Sequence, residues 1–377
     1  MIDEKQVAVA SASAPGVPDG WRVVRFGGVV RNVDVSERQP LERGLERFVG
    51  LEHLDPESLH IKRWGLIEEG TSFTRKFVRG QVLFGKRRAY QRKAAVAEFD
   101  GICSGDILVF EPKGDELLPE LLPFIVQSDG FFEHALGTSA GSLLPRTKWS
   151  DLARYEFALP PKDEQRRIAD ILWAAESVIE RTSVVVDSVS ELTSAFRSEL
   201  LRNNIFQKVK VGQVSKFTSG KAIRVTGLPS YTSETPVPVY GGNGLAGYTE
   251  SALQNIASRV VIVGRVGQYC GVVLLSDAPC WITDNALFSV SVSPDIDVDF
   301  LGLCLEAIGL NKQKIGNYLP LINQSVIHNA IIPLPNIKTQ KRYNQKARII
   351  QEAQQSAIKN LEEARNLLKE LKNKSLR

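Results

Sequence analysis

Two kinds of hydrophobic pattern alternate along the chain, and each occurs twice. Residues 21 to about 160, and again 207 to about 335, hold short apolar runs bounded by Gly, Asp and Asn. Gln81-Val82-Leu83-Phe84, Ile107-Leu108-Val109-Phe110, Val260-Val261-Ile262-Val263 and Val272-Val273-Leu274-Leu275 have the length and residue type of strands. A polar, periodic segment with almost no Gly or Pro closes each region and predicts one long helix. In the first helix, apolar positions recur every seven residues in three rows. These are Ile168, Ala175, Thr182, Val189 and Phe196; Ile171, Val178, Val185 and Leu192; and Leu172, Ile179, Val186 and Leu200. The second carries Ala347, Ile350, Ala357, Leu361, Ala364, Leu368 and Leu371, with one break at Gln354. Such heptads predict a coiled coil. Each helix, at about 40 residues and roughly 60 Å, is too long to be covered by its own domain, so the two are expected to pair. Pro160-Pro161 precedes the first helix, with Asp163 as its expected cap and Glu164 in its first turn.

The recurrence extends to individual residues. Val24-Arg25-Phe26-Gly27-Gly28-Val29 matches Val209-Lys210-Val211-Gly212-Gln213-Val214. Val82-Leu83-Phe84-Gly85-Lys86 with Tyr90 matches Val261-Ile262-Val263-Gly264-Arg265 with Tyr269. Leu159-Pro160-Pro161 followed by Gln165-Arg166-Arg167-Ile168 matches Leu334-Pro335-Asn336 followed by Gln340-Lys341-Arg342-Tyr343. The order is kept and the period is far too long for a solenoid, so the chain reads as two copies of one domain-plus-helix unit. The boundaries that follow are a leader at 1–20, a first domain at 21–161, its helix at 162–203, a second domain at 207–335 and its helix at 336–377. The fold class is α+β: two similar mixed α/β domains, each followed by a long helix, with the two helices pairing as a coiled coil.

Composition adds little until it is resolved along the chain. With 43% apolar and 24% charged residues the chain is an ordinary globular one, and its formal net charge is only +4. That total conceals segregation. Thr74 to Ala97 carries eight basic residues and no acid, whereas the 36 residues Glu98 to Glu133 carry nine acids and one lysine. Leu201 to Ser233 carries six basic residues and no acid. Lysine and arginine neutralise phosphates, and Arg, Asn and Gln read base edges in the major groove. The candidate DNA-binding residues are Arg75, Lys86, Arg87, Arg88, Tyr90, Arg92 and Lys93 in the first copy. In the second they are Lys216, Lys221, Arg224, Tyr240, Asn243, Arg265, Gln268 and Tyr269.

Several motifs suggest other chemistries and fail on context. Gly242-Asn243-Gly244-Leu245-Ala246-Gly247 satisfies GxGxxG but is followed by a poor helix opening, and a Gly-rich turn is expected instead. Gly137-Thr138-Ser139-Ala140-Gly141 satisfies GxSxG but follows a helical segment where a nucleophile elbow needs a strand. Asp106 with Glu111-Pro112-Lys113 resembles a nuclease cluster but has no counterpart in the second copy. The amino-methyltransferase tetrapeptides Asn-Pro-Pro-Tyr and Asp-Pro-Pro-Tyr are absent. The four cysteines and four histidines are scattered without metal-ligand spacing, so no metal site is expected. The chain has no run of 18 apolar residues that would cross a membrane. The first twenty residues lack a signal peptide's apolar core, and cytoplasmic localisation is expected.

The Gly80–Tyr90 core, the Leu159–Ile168 helix opening and their duplication resemble the specificity subunit of type I restriction–modification systems. Pro238-Val239-Tyr240-Gly241-Gly242-Asn243-Gly244 and the stretches Val263-Gly264-Arg265 and Thr283-Asp284-Asn285-Ala286 are similar to that family's recognition domains. The resemblance implies two target-recognition domains held apart by an antiparallel coiled coil and reading a bipartite double-stranded DNA site. It implies two methyltransferase subunits and motor-nuclease restriction subunits as partners. S-adenosylmethionine, ATP and Mg²⁺ would sit on those partners, and this chain would hold no cofactor and catalyse nothing. The same residues leave open a recognition subunit of another defence system, a stand-alone regulator, or an unrecognised nuclease or methyltransferase. Leu334-Pro335-Asn336 departs from the pattern by lacking the second proline and the acid, which puts the cap of the second helix in question.

Overall fold

A computed structural model describes residues 18–139, 146–253, 256, 258–312 and 321–376. Nearly all of the expected leader lies outside them. The chain forms two units, residues 1–181 with 361–377, and residues 182–360.

In the first unit, strands Val30–Asn32, Ile107–Pro112, Val82–Gly85 and Ala94–Val96 lie in that order in an antiparallel sheet. A second sheet runs Gly65–Leu66, Arg47–Val49, Gly101–Cys103, Arg75–Phe77, and its central pair is parallel. Val82–Gly85 is buried throughout because its two faces enter different cores. Val82 and Phe84 join Phe26, Phe110 and Phe131, while Leu83 joins Val49, Cys103 and Val109. A strand covered on both sides reads as an unbroken apolar run rather than as an alternation. Arg22–Arg25 pairs with Glu156–Leu159, which brings the start of the domain beside the residues that lead into the first long helix.

The second unit has the same plan. Ser215–Ser219, Ala286–Val292, Val260–Gly264 and Val273–Ser276 form the antiparallel sheet. Gly244–Thr249, Val237–Gly241 and Trp281–Ile282 form the other, again with one parallel pair. Lys208–Lys210 pairs with Ile331–Pro333, as the corresponding strands do in the first copy.

The long helices are Lys162–Arg202 and Ile337–Ser375. One expectation about their starts is corrected. Asp163 does not cap the first: the helix already runs from Lys162, with Gln165 N–H bonded to Pro161 O at 2.9 Å. Asp163 lies within the first turn, 3.8 Å from Arg166. In the second helix the cap is Asn336 itself, whose side-chain oxygen accepts from Thr339 N–H at 2.9 Å. The residue that departs from the pattern is therefore a good cap.

Each helix is fixed to its domain by a buried glutamine. The Gln165 amide donates to Glu116 O and Pro160 O, both at 2.9 Å, and accepts from Leu118 N–H at 2.9 Å. Gln340 repeats all three, donating to Asp295 O (2.8 Å) and Pro335 O (2.7 Å) and accepting from Asp297 N–H (2.8 Å).

The two helices pack together as the heptads predict, and they run antiparallel as the resemblance implies. In the first unit Ile168 and Leu172 share a core with Leu368 and Leu371. In the second, Phe196 and Leu200 share one with Tyr343, Ala347 and Ile350. The rows led by Ile168 and Leu172 supply these packed positions. The remaining row does not: Ile171, Val178, Val185 and Leu192 are all exposed.

Gln165→Ala would leave a buried N–H and two carbonyls unpaired, so it should cost about 1–3 kcal/mol in urea denaturation of the full chain. Arg166→Ala, one residue further on an exposed face, should cost about 0.5 kcal/mol or less. Equal losses would show that the amide is not the anchor.

Candidate nucleic-acid interface

Lys86 and Arg265 follow the buried strands Val82–Gly85 and Val260–Gly264, and the backbone holds their two loops in the same way. Gly85 N–H bonds to Lys93 O (2.9 Å), and Gly264 N–H to Val272 O (2.8 Å). Lys86 N–H bonds to Asp106 O (3.0 Å), and Arg265 N–H to Asn285 O (2.9 Å). Lys86 O accepts from Thr147 N–H (3.0 Å), and Arg265 O from Ile322 N–H (2.9 Å). The next residues, Arg87 and Val266, form isolated bridges to Arg146 and Leu321. The two basic side chains therefore leave equivalent backbone positions.

Further along each loop a tyrosine is exposed, Tyr90 in one copy and Tyr269 in the other. The turn between has left-handed backbone at two places. The second copy fills them with Gly267 (φ 77°) and Gly271 (φ 89°), whereas the first has Arg88 (φ 55°) and Arg92 (φ 51°). A side chain in this region is strained by about 1–2 kcal/mol, so each arginine needs a compensating use.

Arg92 has a structural one. It pairs with Glu57 (3.0 Å) and Asp129 (2.7 Å), donates to Gln127 O (3.2 Å) and lies over the Phe132 ring, 4.7 Å from its centroid. Burial pushes the Asp129 carboxyl upward, but Arg92, with Lys369 and Asn373, outweighs it and holds that group below the usual range. Arg88 is exposed and forms no ion pair among the described residues.

The other candidates separate by how far their side chains are already engaged. Arg75 is held by Asp34 (2.9 Å) and Ile107 O (3.0 Å), and Lys93 Nζ donates to Leu51 O (2.7 Å). Arg87 pairs with Asp106 at 3.3 Å. In the second unit Arg265 donates to Ser219 Oγ at 3.1 Å. Asn243 is exposed at the tip of the hairpin formed by Val237–Gly241 and Gly244–Thr249. This tip lies against the Arg265 loop: a Cβ on Gly242 would stand 3.4 Å from Gly264 Cα. Gln268 and Tyr269 are exposed beside it, and Tyr240 is half-buried on the hairpin strand. Lys216, Lys221 and Arg224 are exposed on or after the strand Ser215–Ser219. The structure thus gathers Lys86, Arg87, Arg88 and Tyr90 in one loop, and Arg265, Gln268, Tyr269 and Asn243 in the other.

Two cations absent from the expected set stand beside the first loop. Arg146 meets Asp106 at 3.1 Å, and Lys148 is exposed without an ion pair among the described residues. They lie some 60 residues beyond Lys86 in sequence, in a stretch with no dense run of charge, and the Thr147–Lys86 bond and the Arg87–Arg146 bridge bring them in.

The decoy motifs resolve structurally. Gly242-Asn243-Gly244 is the hairpin turn, with Gly244 at φ 113°. Gly137 ends the helix Asp129–Gly137, and Ala140 and Gly141 lie outside the described residues. Glu111 pairs with Arg31 and accepts from Gln81 (2.6 Å), whereas Asp106 is taken by Arg87 and Arg146. Among the described residues no His, Cys, Asp and Glu cluster could hold a metal ion.

Two matched substitutions separate the arginines. Arg88→Gly should leave stability unchanged or raise it by up to about 1 kcal/mol. Arg92→Gly relieves the same backbone strain but should lower stability by about 1–3 kcal/mol, because it removes the ion pairs with Glu57 and Asp129 and the contact over the Phe132 ring. Thermal melts of the two variants read this directly, and a reversed order would contradict the assignment.

The family model described as type I restriction modification DNA specificity domain matches residues 64–183 and again 203–370. Over 204 residues the chain is 28% identical to the Escherichia coli type I restriction enzyme EcoDI specificity subunit, a match spanning 49% of this chain and 44% of that one. The chain thus spans less than half the length of this curated relative. The crystal structure of the type I restriction–modification S subunit from M. genitalium matches with a TM-score of 0.64 at 14% identity, covering 97% of this chain and 98% of that one. A structure reported on complex assembly and conformational transition of the type I R-M system contributes a second match. Its TM-score is 0.58 at 17% identity, covering 95% of this chain and 98% of that one. These two likenesses concern the fold.

Proposed function

The chain belongs to the type I restriction modification DNA specificity family, and on that premise we propose that it is the non-catalytic DNA-recognition subunit of such a system. The observation that carries this reading is one loop architecture built twice, each copy presenting a basic residue and an exposed tyrosine. Two readers in one chain suit a bipartite site. Lys86, Arg88 and Tyr90 would engage one half, and Arg265, Gln268, Tyr269 and Asn243 the other, through phosphates and base edges. Lys216, Lys221 and Arg224 would add phosphate contacts, and Arg87 would lie at the edge of the first loop. Arg75, Arg92 and Lys93 are spent on the fold and are left out of the contact set.

Methyltransferase subunits, two per chain, would bind the long helices and carry S-adenosylmethionine. Restriction subunits would join them with ATP and Mg²⁺. The support on this chain is the exposed apolar row of the first helix, with Ile171 and Val178 in the first unit and Val185 and Leu192 in the second. An exposed apolar row at heptad spacing suits docking of a further helix. No helix among the described residues is long and apolar enough to cross a membrane, and the proposed setting is the cytoplasm, where the DNA is.

Methylation mapping of host DNA with and without the gene tests the proposal. The expected result is one bipartite motif that vanishes when the gene is deleted; an unchanged methylation pattern would overturn it. A spacer test follows from the helices. Inserting one heptad into both adds about 10 Å and should lengthen the preferred spacer by about three base pairs, with both half-sites unchanged. A change in the half-sites instead would contradict the ruler role.

A further inference from the structure

A cavity of about 400 Å³ lies beside the first loop, lined by Lys86, Leu108, Arg146, Thr147, Lys148 and Trp149. None of these is acidic. The Asp106 carboxylate beside them is shared between Arg87 (3.3 Å) and Arg146 (3.1 Å). With Lys86 and Lys148 added, the cations here outnumber the carboxylates Asp106 and Asp34. Burial lowers the Lys86 ammonium below the usual lysine range, and so do Arg75 and Arg146, against the opposing pull of Asp106 and Asp34. A site in this condition is short of negative charge.

Two further observations concern its walls. The Thr147 side chain is almost fully buried, and its hydroxyl oxygen has no hydrogen-bond partner among the described residues. Buried hydroxyls are normally paired. The floor is rigid: the Trp149 ring packs on Phe110 (5.5 Å) and Phe26 (5.9 Å) in the hydrophobic core.

Comparison of the two copies shows that Lys148 is a poor choice for folding alone. It occupies the N-cap of the short helix Trp149–Leu152 and makes no capping bond. The corresponding residue of the second copy is Asn323, whose side-chain oxygen accepts from Val326 N–H at 3.0 Å. Asparagine is among the best caps and lysine is not. The second copy also has Leu321 and Ile322 where the first has Arg146 and Thr147. Of the four positions only the first has a cationic counterpart in the second copy, Arg265 in place of Lys86; the cations Arg146 and Lys148 and the hydroxyl of Thr147 are confined to the first copy.

We propose that this cavity seats one backbone phosphate of the DNA half-site read by the first unit, held by Lys86, Arg146, Thr147 and Lys148. The proposal rests on the DNA-recognition reading and refines it. It makes the two readers electrostatically unequal, with an additional phosphate clamp on the first.

The test is the salt dependence of DNA binding by the full chain assembled with its methyltransferase, on its mapped site. Lys148→Asn copies the cap of the second domain and should leave the melting temperature unchanged or higher. It should weaken binding to every sequence alike and make the slope of log K against log[salt] shallower by about 1. Arg146→Gln should act in the same direction. Wild-type slopes retained by both variants would overturn the clamp, and so would an altered base preference, which would make these residues base readers. If the wild-type assembly shows no site-specific binding at all, the recognition reading itself fails, and the clamp with it.

Discussion

Each long helix is tied to its own domain by a single buried amide, and the architecture depends on that tie. Gln165 and Gln340 each close three backbone hydrogen bonds at the point where a strand-bearing domain ends and a helix begins. A buried side chain bonded at all three points leaves the helix opening little freedom to swing on its domain. In the proposed function the helices set a distance on DNA, and that role needs a fixed orientation where each helix begins. Heptad packing sets how the helices pair, and the glutamine sets how each leaves its domain.

The duplication also shows what each copy has been free to change. Backbone bonds around Lys86 and Arg265 agree closely, yet the side chains differ. At the two left-handed positions the second copy uses Gly267 and Gly271, and the first uses Arg88 and Arg92. One arginine offsets its strain by joining Glu57, Asp129 and Phe132; the other leaves its charge exposed. The scaffold is common to both copies, and the chemistry is particular to each. That division suits two readers of different half-sites.

Much of this was legible beforehand, for physical reasons. Heptads and the lack of Gly and Pro mark both helices. Gln165 and Gln340 stand out as matched residues, as do Tyr90 and Tyr269. What sequence could not supply was direction. Arg88 and Arg92 belong to one basic run, and only the fold turns one outward and the other inward. The row Ile171, Val178, Val185 and Leu192 has the same spacing as the packed rows but stays exposed, because spacing does not say which face meets the partner helix. Arg146 and Lys148 were missed because they join the first loop through tertiary contact, far from the dense charge. The cap expected at Asp163 lies two residues too late, because the helix already starts at Lys162 and its first bond closes on Pro161 O.

The central claim is that two copies of one loop read two separate half-sites. Selection of bound DNA from a random pool, using the assembled complex, tests it most directly. Variants of the first loop (Arg88→Ala with Tyr90→Ala) and of the second (Gln268→Ala with Tyr269→Ala) would be compared with the unaltered chain. The account predicts that each pair changes the selected bases in one half of the motif and leaves the other half and the spacer intact. A pair that altered both halves, or two pairs that altered the same half, would contradict it.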